Sequence, residues 1–139
     1  MPKQVLFIQG GGEAAHAIDA DLAASLARLL GGEFEVRYPF MPNEAAPAYL
    51  NWKAAILEEL RALGDEACVV AHSVGGAVVA RLLAEAEPPK PLAGLFLVAA
   101  PYIGVGGCVR ASGPLREAAA RSLPAVPPRS RPPAQRRLE

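Results

Sequence analysis

The chain has 139 residues, 52% of them hydrophobic, and its 14 Lys and Arg balance 14 Asp and Glu to a formal net charge of zero. That leaves room for one domain with a modest core and excludes a disordered polyelectrolyte. No stretch reaches the roughly 18 consecutive apolar residues of a spanning helix, and Val5-Leu6-Phe7-Ile8 is too short for a secretion signal's core, so a cytoplasmic protein without a membrane partner is expected.

In chain order, Lys3 to Gln9 predicts a buried strand that ends at Gly10-Gly11-Gly12. Ile18, Leu22, Leu26 and Leu29/Leu30 then share one face of a predicted helix, stopped by Gly31-Gly32. Phe34 to Tyr38 predicts a second strand, closed by Pro39, and the loop Phe40 to Pro47 carries Pro42, Asn43 and Pro47 as breakers. A second helix follows, with Tyr49, Trp52, Ile56, Leu60 and Leu63 on one side and Gly64 at its end. Residues 67–71 form an apolar run of strand type and 75–86 a run of helix type. Pro88, Pro89 and Pro91 break the chain before Leu92 to Ala100, predicted as another buried strand.

The order β-α-β-α-β-α-β, with continuous apolar strands and amphipathic helices, predicts an α/β fold: three αβα layers around a mainly parallel sheet. Ligands in such sheets bind beyond the carboxyl ends of the strands. Gly10-Gly11-Gly12, Pro39-Phe40-Met41, His72-Ser73-Val74 and Pro101-Tyr102 are therefore expected on one rim. Cys68 and Cys108 are two cysteines in an expected cytosolic context, which suggests no disulfide framework. The two His and two Cys show no metal-ligand spacing, so no metal and no other cofactor are expected.

The segment Ala71-His72-Ser73-Val74-Gly75 has the spacing of G-x-S-x-G, with Ala in the first glycine place. A serine presented above the end of a sheet needs the backbone to fold back at once. The residues two before and two after it must then be tiny, because strand and helix nearly touch. An ordinary βα turn also favours Ser and Gly, so the surroundings decide. Three glycines on the same rim offer backbone N–H groups free of β-carbons, which an oxyanion hole requires. The plainer reading of those glycines is a flexible connection.

Taken together, the strand ending in Gln-Gly-Gly-Gly, the Tyr38-Pro39-Phe40-Met41-Pro42 segment, Trp52, Ala-His-Ser-Val-Gly-Gly, and Leu-Phe-Leu-Val-Ala-Ala-Pro resemble an α/β-hydrolase. More narrowly, residues 3–107 resemble the small single-domain serine hydrolases of the retinoblastoma-binding kind. The resemblance implies Ser73 as nucleophile toward a small ester or amide, through an acyl-enzyme. It implies the Val74 N–H as half of the oxyanion hole and Gly11 as the other half, with Gln9, Gly10 and Gly12 as the supporting loop. Gln9 stands where the family has His. The family order is Ser, then Asp or Glu, then His. Here the acids after Ser73 are Glu85, Glu87, Glu117 and Glu139, and no histidine follows His72. His72 is too close in sequence to turn back on Ser73. His16, just past the glycine loop, is the remaining candidate base, with a rim histidine as its plainer role.

The chain changes character near Gly107. Residues 1–107 carry seven Lys or Arg against twelve Asp or Glu, net −5; residues 108–139 carry seven Arg against two Glu, net +5. The expectation is an α/β-hydrolase-like core over 1–107, truncated after the strand at 92–100, and an Arg/Pro-rich tail over 108–139. The tail is expected to be disordered apart from one or two helical turns within 115–123. Its composition is that of GC-rich DNA read out of frame; the competing account is a genuine basic tail. A nucleic-acid partner is not expected. Self-association through an exposed edge of the 92–100 strand is. Two other functions fit parts of the sequence. One is a non-catalytic binding protein on the hydrolase fold. The other is a dinucleotide site, since Gly10-x-Gly12-x-x-Ala15 matches G-x-G-x-x-G/A with Glu33 and Glu35 about 20 residues on.

Overall fold

The computed structural model describes residues 1–101. The tail over 108–139, its expected helical turns and Tyr102 lie outside the described residues. Four strands and three helices alternate: β1 (Lys3–Ile8), α1 (Ala15–Leu30), β2 (Phe34–Arg37), α2 (Tyr49–Ala62), β3 (Ala67–His72), α3 (Val74–Glu85) and β4 (Leu92–Val98). The strands form one sheet in the order β2-β1-β3-β4, and every pairing is parallel. The chain leaves β1 toward β2 on one side and returns through α2 to β3 on the other. The topological switch point, where the connections part, lies between β1 and β3.

Strand side chains alternate between the two faces of the sheet. Leu6 and Ile8 of β1 and Ala67, Val69 and Ala71 of β3 face α2 and α3, and join Trp52, Ile56, Leu60, Val78, Val79 and Leu82 in the main core. Tyr49, Trp52, Ile56 and Leu60 are the buried face of α2, as the sequence predicts, and Leu63 is buried just beyond it. Val5 and Phe7 are buried on the other face of β1. On that side Phe7 meets the Tyr38 ring edge-on at 5.4 Å.

Two expectations fail. The buried face of α1 is Ala15, Asp19 and Ala23, while Ile18, Leu22 and Leu29 are exposed. Small side chains bring the backbone of α1 close to the sheet, and that close packing outweighs the leucine periodicity. The strand at 92–100 is shorter than expected and not buried: Leu95, Phe96, Leu97 and Val98 are exposed, because β4 is an edge of the described sheet, in line with the exposed apolar edge also expected there.

Candidate active site

The elbow follows from the chain's local geometry. β3 runs to His72, α3 starts at Val74, and Ser73 alone makes the reversal with φ 51° and ψ −125°. A serine with positive φ is strained by about 1–3 kcal/mol and needs surroundings that over-determine it. They are present: the Ser73 N–H donates to Val98 O at 2.9 Å, and Ser73 O accepts from the Gly76 N–H at 2.9 Å. A β-carbon on Gly75 would lie 2.1 Å from Gln9 O, so only glycine fits where α3 crosses the end of β1. Ala71 is fully buried.

The glycine loop lies against this elbow. A β-carbon on Gly11 would sit 3.3 Å from Val74 Cβ and 2.6 Å from Pro47 Cγ. Among the described residues, neither the Gly11 nor the Val74 backbone N–H donates a hydrogen bond. Val74 also opens α3, where the helix dipole favours negative charge.

Buried side chains tie the loops together. Gln9, fully buried, donates from Nε2 to Glu44 Oε2 at 2.8 Å and to Gly10 O at 3.1 Å, while its Oε1 accepts from the Met41 N–H at 2.9 Å. Glu44 also accepts from the His16 N–H at 2.8 Å. These bonds hold the Glu44 carboxyl below its ordinary range. The Gly12 N–H reaches Glu44 O at 2.7 Å, and Trp52 Nε1 fixes the same loop through Pro42 O at 2.8 Å. Three of the four expected rim segments thus meet beyond the ends of β1 and β3. The fourth is only partly described, though Ala100 lies beside Gly76.

His16 is stacked between Tyr38 and Phe40, with ring centroids 4.0 and 3.5 Å away, and its Nε2 lies 3.3 Å from Tyr38 O. No hydrogen bond links it to Ser73. The Tyr38 hydroxyl donates to His16 O, and burial together with the nearby Asp19 and Glu44 charges pushes its pKa up to about 12. Glu85 is held on the far side of the site by Tyr49, Lys53 and Arg81.

Asp19 escaped the sequence reading. Its Oδ2 accepts from the Gly10 N–H at 2.8 Å and from His72 Nδ1 at 2.8 Å, and the residue is 5% exposed. A carboxylate is acceptor-only, so His72 carries its proton on Nδ1. The only available signal was a charged residue at the i+4 position between two alanines, Ala15 and Ala23, which reads as surface until the helix is seen to bury its small face. No group of three or more His, Cys, Asp or Glu among the described residues is placed to hold a metal. No helix there is long and apolar enough to cross a membrane.

Residues 23–127 match the family described as serine hydrolase, well over half of the chain. The chain belongs to the serine hydrolase family. The matched span contains the Ser73 elbow; it begins after the glycine loop and runs 20 residues past Gly107. The fold is similar to that of an extracellular α/β-hydrolase from a Paenibacillus species, itself described as sharing structural and functional homology with tobacco salicylic acid binding protein 2. The TM-score is 0.53 at 19% identity, over 71% of this chain and 41% of that one. This chain therefore spans less than half the length of that hydrolase, and the likeness establishes an α/β-hydrolase fold. No curated protein matches the chain.

Proposed function

We propose that Ser73 is the nucleophile of an acyl-transfer site for a small ester or amide, with the Val74 and Gly11 N–H groups as its oxyanion hole. The observation that carries this reading is the strained Ser73 at the β3–α3 turn, beside two backbone donors without partners among the described residues. In the reaction, Ser73 Oγ bonds to the carbonyl carbon and gives up its proton. The carbonyl oxygen becomes an oxyanion facing the two N–H groups. The leaving group departs with a proton, and water then reverses the sequence.

Among the described residues no side chain is hydrogen-bonded to the Ser73 hydroxyl to take that proton. The chain's two histidines are His16 and His72, and none follows the elbow. His16 is engaged with Tyr38 and Phe40, which supports a role in holding the loop. In subtilisin, a serine hydrolase of another fold, loss of the histidine alone costs about 10⁶ in turnover. Hydrolysis by this chain is therefore near background, and a binding protein on the same fold is the second reading. The dinucleotide alternative meets an obstacle at its own loop. The Gly10 N–H that would face a pyrophosphate is held by the Asp19 carboxylate, and the Gly12 N–H by Glu44 O.

The test compares the chain with Ser73→Ala and His16→Ala, using a p-nitrophenyl ester and a fluorophosphonate. Near-background ester turnover in all three, with slow labelling confined to chains that keep Ser73, is the expected result. Clear turnover abolished by both substitutions would overturn the claim of near-inactivity and make His16 the base. A rise in melting temperature with NAD, without any labelling, would favour the dinucleotide site.

A further inference from the structure

We infer that Asp19 is a positioning residue that sets the spacing between the two halves of the oxyanion hole; the inference rests on the assignment of Gly11 and Val74 made above. The β1–β3 ladder ends at the pair Ile8↔Ala71. Beyond it the two strands part, β1 into the glycine loop and α1, β3 into the elbow and α3. Where the ladder stops, a single carboxylate oxygen bridges the strands. Asp19 Oδ2 takes the Gly10 N–H, next to Gly11, and the His72 Nδ1–H, two residues before Val74, each at 2.8 Å.

Packing does not account for this residue. The inward face of α1 is otherwise Ala15 and Ala23, and an alanine at 19 would continue it without burying a charge. A carboxylate buried at 5% exposure costs several kcal/mol unless its oxygens find donors, and here both donors come from the two segments that carry the oxyanion hole. The fit is close. A β-carbon on Gly10 would lie 3.3 Å from His72 Nδ1, 3.4 Å from Asp19 Oδ2 and 3.4 Å from Ser73 Cβ. Loop, bridge and nucleophile thus surround a space about one methyl group wide. Misplacing a catalytic group by about 1 Å can cost about a hundredfold in rate, so a bridge at this point acts on chemistry as well as on folding.

The test measures fluorophosphonate labelling of Ser73 in the full chain against probe concentration, with Asp19→Ala, Asp19→Asn and Ser73→Ala. Asp19→Ala is expected to lower the maximal labelling rate at least about tenfold, with the half-saturating probe concentration unchanged. Asp19→Asn, whose amide oxygen can accept the same two bonds, is expected to recover at least about a third of the rate. The Gly11 and Val74 amide ¹H–¹⁵N signals should move in the alanine variant and return in the asparagine one. Equal maximal rates in wild type and Asp19→Ala overturn the inference. So does an equal loss in both Asp19 variants, which would assign the effect to charge rather than to the bridge. If Asp19→Ala does not fold, His72→Ala and His72→Asn repeat the comparison from the other end of the bridge, with the same two outcomes. If wild type labels no faster than Ser73→Ala, the nucleophile assignment fails. The bridge is then judged on the amide signals alone: unmoved signals overturn it, and signals moved in alanine and restored in asparagine support it.

Discussion

β3 has an apolar neighbour on each side, and the two are treated differently. On one side it pairs with β1, where Val5, Leu6, Phe7 and Ile8 are at most 3% exposed; on the other it pairs with β4, where Leu95 to Val98 are 38–57% exposed. In sequence the two strands look alike. The difference comes from position. β1 lies inside the sheet with α2 and α3 on one face and α1 on the other, whereas β4 ends the described sheet, and no described element buries its Leu95–Val98 stretch. The candidate site grows from the enclosed pair β1 and β3. A strained serine can be held there because the backbone around it has no room to relax.

The largest test of that contrast compares one residue from each region. Trp52 is fully buried against the β1–β3 side, and Trp52→Ala should cost about 3–5 kcal/mol and free the Pro42 carbonyl it holds. Leu97→Ala on β4, at 44% exposure, should cost less than about 1 kcal/mol. Urea unfolding of both variants checks the pair, and equal costs would mean that β4 is as enclosed as β1.

The strain at the elbow gives an effect of opposite sign. Glycine adopts φ 51° and ψ −125° without a β-carbon penalty, so Ser73→Gly should stabilise the chain by about 1 kcal/mol while removing the hydroxyl proposed as nucleophile. Ser73→Ala keeps the β-carbon and should leave stability within about 0.5 kcal/mol of wild type. A destabilised Ser73→Gly would show that the turn is held by the serine side chain and not imposed upon it.

At the edge, Phe96→Lys should change stability by no more than about 0.5 kcal/mol, since Phe96 is 57% exposed. It should nevertheless reduce self-association, because a charge on an open strand opposes pairing with a second chain. Sedimentation of the two proteins over a range of concentrations is the measurement. Identical association would place the contact elsewhere, with the exposed Ile18, Leu22 and Leu29 of α1 as the next surface to substitute.

These same residues mark where the sequence was legible. The β/α order, the face of α2 and the tight β3–α3 turn at Ser73 could all be read, because each rests on local rules: apolar runs, helical spacing and small residues at a turn. The face of α1 could not. Hydrophobic periodicity chose Ile18, Leu22 and Leu29, but the sheet selects for close approach, and Ala15, Asp19 and Ala23 give it. Asp19 was lost for the same reason, since a buried carboxylate is recognisable only once Gly10 and His72 are known to face it. The exposure of β4 could be expected only from its place at the end of the sheet, because its own apolar run looks like that of β1.

The smallest expected effect concerns Glu85, which links α3 to α2 behind the elbow. Its carboxylate accepts from the Tyr49 hydroxyl at 2.6 Å, from Lys53 Nζ at 2.9 Å and from Arg81 Nε at 2.8 Å, while the Arg81 guanidinium lies 3.6 Å from the centre of the Tyr49 ring. The Tyr49 hydrogen bond first, and Lys53 and Arg81 after it, lower the Glu85 pKa from 4.5 to about 2. Burial and the same carboxylate raise that of Tyr49, which stays a neutral donor. Because the folded value lies below the unfolded one, Glu85 stabilises the fold fully above pH 4.5, and that contribution is lost as pH falls toward about 2. The Glu85 side chain is 29% exposed, so solvent screens the effect and it should be modest. Urea midpoints for wild type and Glu85→Gln should differ most near neutral pH and converge between pH 4.5 and 2. A difference that stays constant through that window would mean that Glu85 acts through shape and hydrogen bonding alone, without its charge.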